Sequence, residues 1–421
     1  MTRKLLKTTA SALAITFAFS ATGALAQDMP SKEEMWKMIQ QQQEQIKKLE
    51  AIVGVTTQKV EETAVKVAET EKKVEATGAA LDNVAVTASA GSTSATTIGG
   101  YTELHYNGGD TDQIDLHRFV LFLGHEFNDN IRFFSELEVE HSIAGEGQVG
   151  AVELEQAFVE MDLNENTRVS VGQLLIPVGI LNETHEPPTF YGVERNNVEK
   201  NIVPATWWEA GVKLSGNLTE SFSYDLVMHS GLDTTGAGYK IRSGRQKVGN
   251  APWKNTAFTA RASWQAMPCV KFAGTFQYQD DITQSGGLDQ SASATLFEAH
   301  ANVERAVSDN GTFGLRALYA QWNINADQAD LLGRDTQRGW YIEPSYKITL
   351  DDQNAVGFFA RYSVWDNEAG DSIDSAYKQT NFGVNYWPHK NVVLKMDYQV
   401  DSFASESKED NRLNLGVGLY F

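Results

Sequence analysis

The sequence predicts an all-β transmembrane barrel of sixteen antiparallel strands, preceded by a periplasmic α-helical coiled coil. Three observations carry that expectation. Residues 98–421 fall into segments of roughly ten residues with alternating polarity. Tight turns and long Gly- and Asp-rich loops alternate between them. The last segment is apolar and aromatic and finishes on Phe421, the kind of strand that barrel-assembly machinery reads.

Taken in order, the chain opens like an exported precursor. Arg3, Lys4 and Lys7 precede an apolar run from Ala10 to Phe19, and Ala24-Leu25-Ala26 offers a small-x-small cleavage site. Residues 1–26 are therefore expected to be a signal peptide. The run is too short to span a bilayer, and no other stretch reaches the roughly 18 apolar residues a spanning helix needs. The expected destination is the outer membrane of a Gram-negative bacterium, by way of the periplasm.

Residues 31–84 read as a coiled coil. Ile39, Ile46, Val53, Val60, Val67, Val74 and Leu81 recur every seven residues, and Thr56, Thr63, Thr70 and Thr77 fill the second core position. A sustained seven-residue repeat gives a left-handed supercoil, and β-branched cores lean towards trimers. At a rise of 1.5 Å per residue it would extend to about 70 Å. Residues 85–97, rich in Ala, Ser, Thr and Gly, read as a flexible linker.

The barrel, residues 98–421, follows. Its expected strands lie near 98–106, 113–124, 130–142, 151–162, 167–175, 207–215, 221–230, 255–265, 269–280, 292–304, 312–323, 338–348, 354–365, 378–387, 391–401 and 411–421. Tight turns fall at Asn128-Asp129-Asn130, Asn164-Glu165-Asn166, Asn217-Leu218-Thr219 and Asp351-Asp352, among others. In the ninth strand Val270, Phe272, Phe276 and Tyr278 oppose Lys271, Thr275, Gln277 and Gln279. A closed sheet in lipid puts the first set outside and the second inside, because lipid leaves no sheet edge satisfied. Trp207, Trp208, Trp264, Trp365, Trp387 and Tyr420 sit near strand ends and are expected to form interfacial girdles against lipid and lipopolysaccharide.

The formal net charge of −20 argues against nucleic acid as a partner. The single cysteine, Cys269, excludes an internal disulfide framework. Eight histidines are scattered with no His-x-x-x-His pair, so the spacing points to no metal site, no catalytic residues and no cofactor. The acidic pair Asp280-Asp281 reads as an ordinary solvated loop.

Val171-Gly172-Gln173-Leu174-Leu175-Ile176-Pro177-Val178-Gly179, leaving the fifth strand, and Asp115-Leu116-His117-Arg118, opening the second, resemble segments of the phosphate-selective porin superfamily (porins O and P). The order of signal peptide, coil, linker and barrel is similar as well. The resemblance implies a trimeric porin whose third external loop folds into the pore.

That loop, residues 176–206, is the longest by independent count, and Pro177, Pro187, Pro188 and Pro204 stiffen it. Its candidates for a pore constriction are Glu183, His185, Glu186, Glu194, Arg195, Glu199 and Lys200. Strand positions expected on the lumen wall are Glu136, Glu138, Glu140, Glu209, Lys213, Arg261, Lys271, Arg316, Lys347, Arg361, Lys395 and Asp397. Acidic strands near 132–160 facing basic ones elsewhere would set up a transverse field. Arg118, Arg132, Arg168 and Arg316 are expected to pair with Glu136 and Glu138. The dense basic run of anion-selective relatives is absent, which favours a passive diffusion channel for small polar or charged solutes over a phosphate-specific one. A competing expectation is a tether from outer membrane to cell wall, with the barrel as anchor.

Overall fold

The computed structural model describes residues 95–421 except 110–111, 286–290, 352–353 and 404–410, together with six isolated positions near the N-terminus. The chain divides into two units, residues 1–92 and 93–421. In the first, Lys32, Trp36, Lys37, Gln40, Gln43 and Lys47 are helical and exposed. The expected signal peptide and the rest of the expected coil and linker up to residue 94 lie outside the described residues.

The second unit is a closed barrel of sixteen antiparallel strands, each paired with its sequence neighbours. They are β1 Thr96–Asn107, β2 Gln113–Asn128, β3 Ile131–Glu140, β4 Val152–Asn164, β5 Thr167–Leu175, β6 Trp208–Asn217, β7 Phe222–His229 and β8 Ala257–Met267. β9 Val270–Gln279, β10 Ser293–Ala306, β11 Gly311–Asn325, β12 Thr336–Thr349, β13 Ala355–Asp366, β14 Tyr377–His389, β15 Val392–Phe403 and β16 Arg412–Tyr420 complete it. β1 starts at Thr96, inside the expected linker, because pairing with β2 reaches His125. Closure falls between β1 and β16, where Gly100 and Phe421 exchange backbone hydrogen bonds of 2.9 and 2.8 Å.

Local chemistry explains the turns. The Asn128 side chain accepts from the N–H groups of Asn130 and Ile131, and Asn164 accepts from Asn166. Such side-chain bonds replace the backbone bonds that a two-residue reversal cannot make. The seven connections that follow β2, β4, β6, β8, β10, β12 and β14 lie on one rim.

The polarity is that of a membrane barrel. Phe276 is 41 % exposed while Gln277 beside it is fully buried. On β15, Leu394, Met396 and Tyr398 face outwards and Lys395, Asp397 and Gln399 are enclosed. A water-soluble sheet would expose the second set and bury the first.

Four expected girdle residues do not belong to a girdle. Trp207, Trp208, Trp365 and Trp387 are all buried. Trp207 and Trp365 join an apolar core that also holds Ile176, Val178, Val198, Ile202, Leu232, Ile241, Leu318 and Trp322. Trp387 packs edge-on against Tyr191. The inward faces of β11–β14 thus carry aromatics because loops pack against them there. Trp264 remains exposed, stacked between Phe222 and Phe272.

Candidate functional site

The loop after β5 begins by turning inwards. Asn182 is fully buried and donates to the carbonyls of Ile176 (2.7 Å) and Trp207 (2.9 Å), while accepting from the Trp207 N–H (2.6 Å). From this neck the loop reaches strands far from its own. Arg316 of β11 donates to the Thr189 carbonyl, Asn385 of β14 to Phe190, and Asp397 of β15 accepts from the Val193 N–H. Gly418 of β16 makes room for Pro187: a Cβ built there would lie 2.2 Å from the proline's own Cβ. A segment rooted between β5 and β6 meets β11–β16 and β1 only by crossing the interior.

Within the loop, Pro187–Thr189 forms one 3-10 turn and Asn197–Asn201 a short helix, α1. The Asn196 side chain caps α1 by accepting from the Val198 N–H at 2.7 Å. Glu199 of α1 accepts from the N–H groups of Ile180 (2.8 Å) and Leu181 (2.6 Å) and from the Tyr341 hydroxyl (2.6 Å). Burial holds the Glu199 carboxyl above the usual carboxylate range despite these donors.

The remaining expected loop residues divide between anchors and free groups. Glu183 pairs with Arg261 and, at 3.8 Å, with Lys213. Glu194 accepts from His105 (3.1 Å) and Asn107 (2.9 Å). Burial alone would raise Glu194, but these partners outweigh it and hold the carboxyl well below its ordinary range. His185 stands 3.4 Å from Glu136 and 3.5 Å from Glu155. Glu186 is half-buried at the start of the 3-10 turn, and Lys200 is exposed. Arg195 reaches Thr206 Oγ1 at 2.6 Å.

Most of the expected wall charges serve the loop or each other. Arg361 pairs with Glu343 at 3.1 Å and reaches the carbonyls of Tyr191 and Glu194. Lys395 lies 3.5 Å from the centre of the Phe190 ring, and Lys347 4.4 Å from Trp387. Glu209 accepts from Ser230 and Trp207. Glu140 is half-buried. Lys271 is exposed and, with Lys213, Arg261 and Glu183, lines a cavity of about 650 Å³ beside the short turns.

One expectation needs correction. Of the four arginines assigned to Glu136 and Glu138, only Arg118 approaches either, at 3.7 Å from Glu138. Arg132 pairs with Glu160 and Asp162, Arg168 with Glu160, and Arg316 with a backbone carbonyl. The strand register offers them nearer carboxylates. Arg195, Arg242 and Arg245 act electrostatically on Glu138, Glu140 and Glu155, and all three come from loops. Arg242 and Arg245 belong to the loop after β7 and donate to carbonyls of residues 200–206.

The spacing of histidines in the chain gives no ligand set, yet among the described residues the fold assembles two. Asp115, His117 and His141 meet in one place, and Glu136, Glu155 and His185 in another. Bulges are the cause. Where Glu136 pairs with Gln156 and Leu137 with Leu154, Glu155 is an extra residue and shares the inner face with Gln156. His117 is likewise extra between Arg118 and Leu116 on β2. A bulge places consecutive side chains on one face, which alternation alone does not reveal.

A closed sixteen-stranded barrel with an apolar exterior, a charged interior and an internal loop defines a pore protein of the outer membrane. Residues 99–414 match the family model described as phosphate-selective porin O and P, and the chain belongs to that family. It is 31 % identical over 345 residues to an uncharacterized protein of Aquifex aeolicus (strain VF5), covering 75 % of this chain and 77 % of that one. Its fold is similar to the anion-selective porin of Comamonas acidovorans, at a TM-score of 0.53 and 12 % identity, covering 77 % of this chain and 99 % of that one. It is similar also to the outer-membrane channel DcaP of Acinetobacter baumannii, at 0.50 and 14 %, covering 77 % and 97 %.

Proposed function

We propose that this porin is a passive diffusion channel for small polar and charged solutes, and that the loop of residues 176–206 narrows its lumen. The observation that carries the reading is the loop's set of bonds to β1, β11, β14 and β15, across the barrel from its roots. Glu138, Glu140 and Glu155 on one side, and Arg195, Arg242 and Arg245 on the other, supply a transverse field at the narrowing. Such a field orients dipolar and zwitterionic solutes and lets both signs of ion pass. Loop carbonyls and wall carboxylates occupy much of the basic side, so among the described residues no ladder of free cations is left to hold phosphate. Assembly is a homotrimer, supported by the trimer-leaning heptad core, with the coil as a clamp for it.

The test is single-channel recording of the purified protein in planar bilayers, followed by liposome swelling with sugars, amino acids and dicarboxylates. Stepwise conductance in multiples of three is expected. Insertion without conductance would sink the channel reading and favour the tether, in which the barrel is only an anchor.

A further inference from the structure

We propose that Glu136, Glu155 and His185 form a binding site for a divalent transition-metal ion of the Zn²⁺ class, which pins the long loop to β3 and β4. The three side chains come from three elements and are 1 %, 3 % and 3 % exposed. Their facing atoms, Glu136 Oε1, Glu155 Oε2 and His185 Nε2, have no hydrogen-bond partner among the described residues. Nε2 stands 3.4 and 3.5 Å from the two oxygens, close enough for an ion pair but outside hydrogen-bond geometry. Buried polar atoms that converge without bonding to one another leave a centre to be filled.

Both distances from the imidazole fit a metal, and the three ligand atoms all lie within 4.8 Å of one another. Zn–N and Zn–O bonds of roughly 2.0–2.2 Å at tetrahedral angles separate ligand atoms by about 3.3–3.6 Å. The surroundings fit as well. His185 Nδ1 lies 3.3 Å from the Asn182 carbonyl, a contact that puts a proton on Nδ1 and leaves Nε2 as the atom facing the two carboxylates. Gln156 Nε2 donates to the far oxygen of Glu136 at 2.7 Å, which leaves Oε1 free for the centre. Tyr101 stands edge-on to the imidazole, with ring centroids 6.1 Å apart, and fixes its plane.

Charge points the same way. Glu103, Glu136, Glu138 and Glu155 are buried together against Arg118 and His185. His105 also stands 3.1 Å from Glu103, and even with imidazolium at both histidines one negative charge is left in that buried set; uncompensated buried charge is costly. One imidazole and two carboxylates, without sulfur, suit Zn²⁺, Co²⁺ or Mn²⁺ rather than Cu⁺. The site rests on side-chain geometry and not on what the channel carries.

The experiment uses the full-length protein, extracted in detergent, stripped with EDTA and titrated with Zn²⁺ against a chromogenic chelator. Co²⁺ serves as a spectroscopic stand-in, because a tetrahedral N/O site gives visible absorption. Variants are Glu155→Gln, His185→Gln and, to disable the other histidine cluster, His117→Gln. Heat-modifiable electrophoretic mobility reports folding of each, and Glu155→Gln keeps the test alive if His185→Gln does not fold. The expected result is a bound ion kept in His117→Gln and weakened at least about 100-fold in both other variants. Absence of stoichiometric binding in the wild type overturns the site and assigns the gap to a proton on Nε2. Binding unchanged in Glu155→Gln, or lost only in His117→Gln, overturns it too. A barrel that binds the ion but does not conduct would defeat the channel reading and leave this one standing.

Discussion

Asn182 and Trp207 hold the two ends of the long loop together: one side-chain amide both donates to and accepts from the backbone of the other residue. That side chain also serves the Ile176 carbonyl, so it bonds three backbone groups at the loop's neck. In Asn182→Ala the two carbonyls would keep the N–H groups of Val178 and Ile176, but the Trp207 N–H would be left unpaired in a buried place, at about 1–3 kcal/mol. The cost falls on the loop and not on the strand ladder. We expect a barrel with nearly unchanged melting temperature but a larger, noisier conductance and faster proteolytic cleavage within 176–206. An unchanged channel with a destabilised barrel would show that the amide supports the strands instead.

Glu199 gives the loop a pH dependence of stated sign. Its folded pKa is raised by burial, above an unfolded value of about 4.3. The protonated carboxyl is the form the folded state favours. Its contribution is therefore fully present below the unfolded pKa and is lost as pH rises through the folded one. Loop anchoring should weaken on that rise, seen as growing open-channel noise. Glu199→Gln keeps an acceptor for Ile180 and Leu181 and removes the titration, so its noise should be flat across the same range. Glu194, held low by His105 and Asn107, should not release its end of the loop under mild acid.

Sequence legibility follows the physics of each element. Period-2 alternation is strict wherever one face meets lipid, so all sixteen strands were readable to within a few residues, as at β9 Val270–Gln279. The inward tryptophans were misread because a side chain's place near a strand end does not say which face it takes. Glu155 is not legible in the sequence because the β4 bulge breaks the alternation that marks inward-facing positions. Arg242 and Arg245 were missed because nothing in the loop after β7 signals that it folds onto the loop after β5. Parity alone suggests which charged residues share a strand face, but their partners depend on register, which a single sequence leaves open.

Arg195 tests the transverse field. It is held by one hydroxyl, on Thr206, and acts on Glu138 and Glu155 at a distance. Arg195→Glu should shift the reversal potential in a salt gradient towards cation preference, with roughly a twofold change or more in the permeability ratio. Because screening shortens the reach of charge to about 3 Å at 1 M salt, the shift should fade as the bath is concentrated. A shift independent of salt would place the effect in pore width rather than in charge.

Gly418 tests whether the loop sets the bore. A Cβ at this position would stand 2.2 Å from Pro187 Cβ and 3.5 Å from Val393, so the wall itself tolerates the atom and the loop does not. Gly418→Ala forces the 3-10 turn at Pro187–Thr189 away from β16, and Gly418→Val forces it further. β16 pairs with β1 and β15 through its backbone, which neither substitution removes. Closure of the barrel should survive, with heat-modifiable mobility intact. Conductance should fall in the order Gly, Ala, Val if the loop defines the narrowest section, since each step pushes Pro187 further from the wall into the lumen. If conductance stays constant while the loop becomes more accessible to protease, the limiting section lies elsewhere, and the approach of Pro187 to Gly418 is a matter of packing alone.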